Sequence, residues 1–268
     1  MSDLDPEQHA AAVLAAVNRH VAPAGIPEAV RQAEATATAA AKAAALRAQC
    51  VSQQKQIGLA CHMYSDDYND YMVFPNWGTV NTGWLYAPSN SLPPVPSNPP
   101  QLAYNGGLLW PYINQNWHIY WCPADNTNLS TFAQRTEKLS TYVMNGSILA
   151  YHSKPPDARV HKASLFKPDA YLLWEPNDQP PDNDPASIYN DGSNQPDSAD
   201  GPSRRHGNGC VLLGFDGHVQ FVVYNSFISA MEAPPVTGPA TLLWNDPDSV
   251  DGMGWYNNGG NGCALWSN

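Results

Sequence analysis

An α+β fold is predicted, with one long N-terminal helix leaning on an antiparallel sheet. Three features of the chain point to it. A Pro-free segment follows Pro27, short apolar runs alternate with Pro, Asn, Asp and Gly beyond Tyr71, and two of those runs flank Asp216-Gly217. Asp5-Pro6-Glu7 opens a short alanine-rich helix, with Asp as cap and Pro in the first turn, that ends near Val21 at "APAGIP". Pro27 opens a second helix to about Tyr64, a rod of roughly 55 Å at 1.5 Å per residue. Its "AEATATAAAKAAALRAQ" stretch is helical by propensity yet offers little to bury, and an apolar stripe begins only at Cys50 with Val51, Ile57, Ala60, Cys61 and Tyr64. The chain therefore divides into 1–26, a helix-and-break segment, 27–70, the long helix, and 71–268, a sheet domain with insertions.

Five strands are expected: Ile119–Cys122, Thr141–Met144, Ala170–Glu175, Gly209–Phe215 and His218–Tyr224. Asp216-Gly217 joins the last two as a two-residue hairpin turn, because Gly tolerates positive φ. The acidic segment Asn177–Ser203 reads as a long loop, and loops of that length are usually functional or disordered.

Composition narrows the function. A formal charge of −11 argues against nucleic acid and anionic membranes as partners. Between Ile57 and the C-terminus every Lys and Arg lies in Arg135–Lys167 or at Arg204-Arg205, a basic band in an acidic protein. Surface pairing with nearby carboxylates is the plainer account of that band; a local anionic-ligand site is the sharper one. Abundant Trp, Tyr, Asn, Pro and Gly suit an extracytoplasmic, loop-heavy domain, and aromatic faces suit sugar stacking. The five cysteines are Cys50, Cys61, Cys122, Cys210 and Cys263. Cys50 and Cys61 stand about 16 Å apart along one helix and cannot pair there. No CxxC or Cys/His spacing of the zinc type is present; a bridge among Cys122, Cys210 and Cys263 and buried free thiols stay equally open. No secretory signal or transmembrane run is expected from the opening "MSDLDPEQHAAAVLAAVNRH".

"AQCVSQQKQIGLACHMYSDDYNDYMVFP" (48–75), "WCPAD" (121–125), "TYVMNGS" (141–147) and His206 followed by nine residues and Asp216-Gly217 form an ordered series. Together they resemble bacterial pseudopilins of the type II secretion class, more narrowly the set with an H-x9-DG C-terminal motif. The resemblance implies the pseudopilin fold, an extracytoplasmic place, and a structural reading of the motif, with Asp216-Gly217 making the turn and His206 bonding loop backbone. Such proteins begin with an apolar anchoring helix. Here an alanine-rich segment stands in that position, so ordinary filament assembly and membrane anchoring are not expected of this form.

The function expected is carbohydrate-directed, a lyase cleaving uronate-containing acidic polysaccharide by β-elimination. That chemistry needs a cation to neutralise the carboxylate, a base to take the neighbouring proton and an acid for the leaving oxygen. Arg159, Arg204 or Arg205 would neutralise, His152 or His206 would act as base, and Tyr142 or Tyr151 as acid. Trp77, Trp84, Trp117, Trp121, Trp174 and Trp255 would offer stacking faces, with His161 and Lys162 beside them. The plainer account puts Tyr142 and Trp174 in strand cores and the histidines on turns. Calcium would find oxygen ligands at Asp182, Asp184, Asp191, Asp197 and Asp200, although no DxDxDG spacing is present. No nucleophilic-serine, P-loop, HExxH or dinucleotide motif occurs. A non-catalytic glycan-binding module and a structural pseudopilin are the alternatives.

Overall fold

A computed structural model describes residues 28–78, 80–96, 98–151, 160–178, 184–196, 201–227 and 240–254. The chain divides into two units, Met1–Ala45 and Leu46–Asn268. In the first, residues 28–45 are helical and exposed at every position. With no buried face, alanine propensity and local pairs hold this stretch, such as Arg31 donating to Glu28 at 2.7 Å.

The helix α1 (Glu28–Asp67) continues into the second unit, where its character changes. Cys50, Gln53, Gln54, Ile57, Ala60, Cys61 and Tyr64 recur at helical spacing and are buried. Gly58 sits in this stripe because the helix presses on the sheet: a Cβ there would stand 2.9 Å from Leu213 Cδ1. Two glutamines close polar gaps along the same face. Gln54 Nε2 donates to the carbonyl of Val211 and Gln53 Nε2 to that of His118, each at 3.0 Å. No helix among the described residues is long and apolar enough to cross a membrane.

The sheet contains β1 (Val143–Asn145), β2 (Tyr171–Trp174), β3 (Ser193–Asn194), β4 (Gly209–Gly214) and β5 (Val219–Val223), in the order β3-β1-β2-β4-β5. Three pairings are antiparallel, and β3 runs parallel to β1. The sheet is thus mixed where the sequence suggested an antiparallel one. Both faces are covered. Val211 and Leu213 join the core under α1, while Cys210 and Leu212 point into a second core with Val143, Trp174, Tyr189 and Trp244. Burial on both sides explains why "GCVLLG" is a continuous apolar run rather than an alternating one. The fold is α+β.

Four of the five expected strands occur close to their expected places. The fifth does not: Trp117–Tyr120 is a 3-10 turn, capped by Asn116, whose side chain accepts from the His118 N–H. Its aromatic run packs by ring contact instead of pairing, with Trp117 and Tyr120 each stacked on Tyr104. The hairpin loop also differs from expectation. Gly214 N–H donates to His218 O and Gly217 N–H to Gly214 O, so three residues, 215–217, make the turn. Gly217 at φ +83° takes the left-handed position of that three-residue type. Two short helices, α2 (Ser130–Gln134) and α3 (Pro185–Ile188), lie in the insertions.

Candidate functional site

Three loops converge at one end of the sheet. The first, Cys122–Asp125, follows the 3-10 turn, and Asp125 N–H closes back on Cys122 O at 2.9 Å. The second leaves β2 at Glu175, held by Ser203 N–H on Glu175 O at 2.7 Å and Asn177 N–H on Gly201 O at 2.8 Å. The third, Arg204–His206, turns into β4 through Gly207 at φ +92°, with His206 N–H bonded to Gly209 O. Each loop supplies one residue to each of two buried clusters.

The first cluster is ionic. Arg135, at the end of α2, grips Asp125 with two parallel bonds of 2.8 and 3.0 Å. Its Nε and Nη2 also donate to Asp178 at 2.8 and 2.6 Å. Arg205 completes the network, with 3.0 Å to Asp178 and 3.4 Å to Asp125, and donates to Pro176 O at 2.9 Å. Two guanidinium and two carboxylate groups cancel in charge. Burial opposes ionisation of Asp125, but Arg205 and Arg135 outweigh it and hold its carboxyl at about 2. The Arg135 guanidinium also lies 4.0 Å over the Tyr189 ring.

The second cluster is a quartet of soft and hard donors. His206 Nε2 lies 3.4 Å from Cys122 Sγ and 3.5 Å from Glu175 Oε1, and Cys50 Sγ lies 3.4 Å from the same Glu175 oxygen. All four donor atoms fall within 4.8 Å of one another. The histidine side chain is 2% exposed and the glutamate 0%. Val211 N–H fixes the other Glu175 oxygen at 3.0 Å, and the Tyr142 hydroxyl stands 3.2 Å from Cys50 Sγ. Burial works against a charged His206, yet hydrogen bonds with Cys122 and Glu175 raise its pKa to about 9. Burial likewise raises Glu175, and His206 more than offsets this, leaving it below the usual carboxylate range.

Outside the ionic cluster lies a cleft of about 410 Å³, lined among others by Asn126, Leu129, Asn177, Arg204 and Tyr224. Arg204 is exposed, its guanidinium 3.9 Å over the Tyr224 ring.

The residues expected to act on a polysaccharide are dispersed. Tyr142 and Tyr151 are 0% and 1% exposed, their hydroxyls bonded to Gln53 Oε1 and Leu243 O, and burial pushes both far above the ordinary tyrosine range. An acid so placed has no path to a polymer at the surface. Arg205 is held by Asp125 and Asp178, so among the described residues Arg204 is the predicted cation left exposed at the cleft. His206 faces Cys122 and Glu175 with its ring, where a bond to loop backbone was expected; only its backbone N–H makes that contact. His161 is buried 3.0 Å from Asp246, and Lys162 is exposed near the Tyr71 ring.

Trp84 and Trp174 are core, Trp84 donating to Gly192 O at 3.0 Å. Trp77 packs on Tyr151, Trp117 stacks on Tyr104, and Trp121 donates to the Tyr104 hydroxyl. They do not form one stacking platform. Of the expected calcium ligands, Asp184 caps α3 through Ala186 N–H, and Asp191 is buried, accepting from Gly78 N–H at 2.6 Å and Ser193 N–H at 2.9 Å. Asp184 ties down its own segment, and Asp191 also joins its loop to the one at Gly78. His152, Arg159, Trp255, Asp182, Asp197 and Asp200 lie outside the described residues.

Cys50, Cys61, Cys122 and Cys210 are buried free thiols, and Cys263 lies outside the described residues. Nothing in sequence spacing marks Cys50, Cys122, Glu175, Arg135, Asp125 and Asp178 as members of one site. "WCPAD" was the visible signal, since it places a thiol and a carboxylate three residues apart in a turn.

No curated protein and no solved structure matches the chain. Over residues 39–166, a stretch that carries Cys50, Cys122, Asp125 and Arg135, the chain is similar to a family described as a protein of unknown function (DUF1559).

Proposed function

We propose that this protein is a structural subunit of the pseudopilin type, working in a type II secretion-like assembly on the outer side of the inner membrane. The observation that carries the reading is the division of α1. From Cys50 onward its stripe is buried against the sheet, whereas residues 28–45 form an exposed, alanine-rich helical stretch. A helix built in this way offers small side chains along which neighbouring copies can lie closely, a different packing surface from the apolar helix on which ordinary filament assembly rests. The ordered series of motifs from Ala48 to Gly217 supports the same reading. Burial of Tyr142 and Tyr151 and the pairing of Arg205 weigh against the lyase.

A second reading keeps the carbohydrate. The cleft beside Arg204, Asn126, Asn177 and Tyr224 joins a free guanidinium face to amides and a ring, a combination suited to one acidic sugar residue rather than to catalysis.

Two measurements separate these readings. Ala39→Cys in the full chain is expected to cross-link between copies in producing cells, in a ladder of regular increments. Incubation with a panel of uronate polysaccharides is expected to leave the ultraviolet absorbance of unsaturated chain ends flat. A rise on any polymer would overturn the structural reading, and a cross-link confined to random partners would remove its support. Binding of an oligouronate that disappears in Arg204→Ala would favour the second reading.

A further inference from the structure

The quartet at the junction of the three loops has the chemistry and spacing of a metal centre. Two thiols, an imidazole and a carboxylate are the ligand types that zinc takes, in a closed shell of four. A tetrahedron with bonds of about 2.3 Å to sulfur and about 2.0 Å to nitrogen and oxygen places neighbouring donors roughly 3.3–3.8 Å apart. Three of the six separations, 3.4, 3.4 and 3.5 Å, fall in that interval, and all six are within 4.8 Å, close enough for an ion to draw them in.

Two further features belong to such centres. Ala124 N–H points at Cys122 Sγ from 3.4 Å, so that Cys122-Pro123-Ala124 forms a turn whose backbone stabilises a thiolate. Val211 N–H takes the second oxygen of Glu175 at 3.0 Å, which leaves Oε1 directed at the cluster. Charge agrees as well. Two thiolates and a carboxylate with a neutral imidazole carry three negative charges, which a dication reduces to one beside Arg205.

We propose that Cys50 Sγ, Cys122 Sγ, Glu175 Oε1 and His206 Nε2 together hold a zinc-class divalent cation as a structural centre. All four ligands come from the protein, three of them buried residues and the fourth, His206, half-buried with a 2% exposed side chain, so the ion has no open place for water or substrate and its role is to join four segments that are remote in sequence. One tie reaches α1, one the Cys122 loop, one the end of β2 and one the turn into β4. The inference is independent of the assembly and carbohydrate readings, since it concerns only how the sheet domain is held.

The experiment uses the full chain, reduced and freed of metal, titrated with cobalt(II) alone and then with zinc(II). Cobalt is expected to bind at about one equivalent and to give sulfur-to-metal charge-transfer absorption with the intense visible bands of a tetrahedral site. Zinc is expected to displace it and abolish the colour. Cys50→Ser, Cys122→Ser and His206→Ala are expected to lose those bands, while Cys61→Ser, a buried thiol about three helical turns further along α1, keeps them. Where a ligand variant does not fold, alkylation of the unaltered chain decides. Cys50 and Cys122 are expected to be protected by zinc and exposed by a chelator, with Cys61 indifferent to both. Absence of charge-transfer absorption, its persistence in Cys50→Ser, or a Cys50–Cys122 disulfide in the unreduced chain as isolated would overturn the proposal.

Discussion

The ionic cluster and the thiol-bearing quartet are neighbours built from the same three loops, yet they are held together by different physics. Asp125, Asp178 and Arg205 face one way and, with Arg135, reach electrical neutrality from protein groups alone. Cys122, Glu175 and His206, with Cys50, bring together two thiols, a carboxylate and an imidazole. In the first cluster geometry is enforced by planar guanidinium forks, each meeting two carboxylates. In the second, His206 meets Cys122 and Glu175 at 3.4 and 3.5 Å, and the proposed ion would bind all four donors at once. The contrast teaches that a short loop can serve two unlike centres when consecutive residues join different clusters, as Arg205 and His206 do.

The comparison is broken most strongly by Arg135→Met. Asp125 and Asp178 would then share Arg205 alone in a buried setting, and a loss of about 3–5 kcal/mol in urea unfolding is expected. Adding Asp125→Asn should recover part of that loss, because it removes the orphaned charge. The cobalt spectrum of the folded fraction should be unchanged in either variant, since the quartet lies on the other side of the loops.

Acid should act on the ionic cluster next. The Asp125 carboxyl is depressed to about 2 from 3.8, so the folded state favours its ionised form. The stability it contributes, on the order of 2 kcal/mol, is fully present above the unfolded value and is lost as pH falls through the folded one. Acid titration of the unfolding midpoint should therefore show a decline between about pH 4 and pH 2 that is shallower in Asp125→Asn.

Gly217→Ala is a control remote from both clusters. Its φ of +83° is unfavourable for alanine, while the added Cβ meets only His62 at 3.6 Å. A cost of about 1 kcal/mol is expected from conformation alone, read as a lower midpoint with metal binding intact. Arg204→Ala should do least to the fold, about 0.5 kcal/mol from the lost contact over Tyr224, because that contact is exposed. A larger effect would mean that the cleft and the ionic cluster form one unit.

Periodicity made the long helix and four strands legible. The buried stripe from Cys50 recurs every three to four residues, and β2, β4 and β5 stand out as short apolar runs bounded by turn residues. The failures also have causes. "IYWC" has strand-forming residues, but its rings find a better partner in Tyr104 than its backbone finds in a neighbouring strand. Ser193–Asn194 is too short and polar to announce itself, and it becomes β3 because Met144 N–H bonds to Gly192 O beside it. Tyr142 carried the right residue type for an acid and the wrong surroundings, since only its packing against α1 decides its exposure. Cys50 and Cys122 were visible as cysteines, but rules of close spacing are blind to donors that lie on different elements.

By itself the sequence determined the α+β class, the course of α1, the place of the Asp216-Gly217 turn and an acidic balance with one basic band. These follow from local periodicity, from glycine's backbone freedom and from composition, none of which needs a partner distant in the chain. Tertiary structure alone decided that β3 pairs in parallel, that Arg205 is bound in an ionic network, and that Cys50, Cys122, Glu175 and His206 meet. Their meeting depends on how α1 presses on the sheet and how three loops fold over its end, and distance in space between such elements is not encoded in distance along the chain.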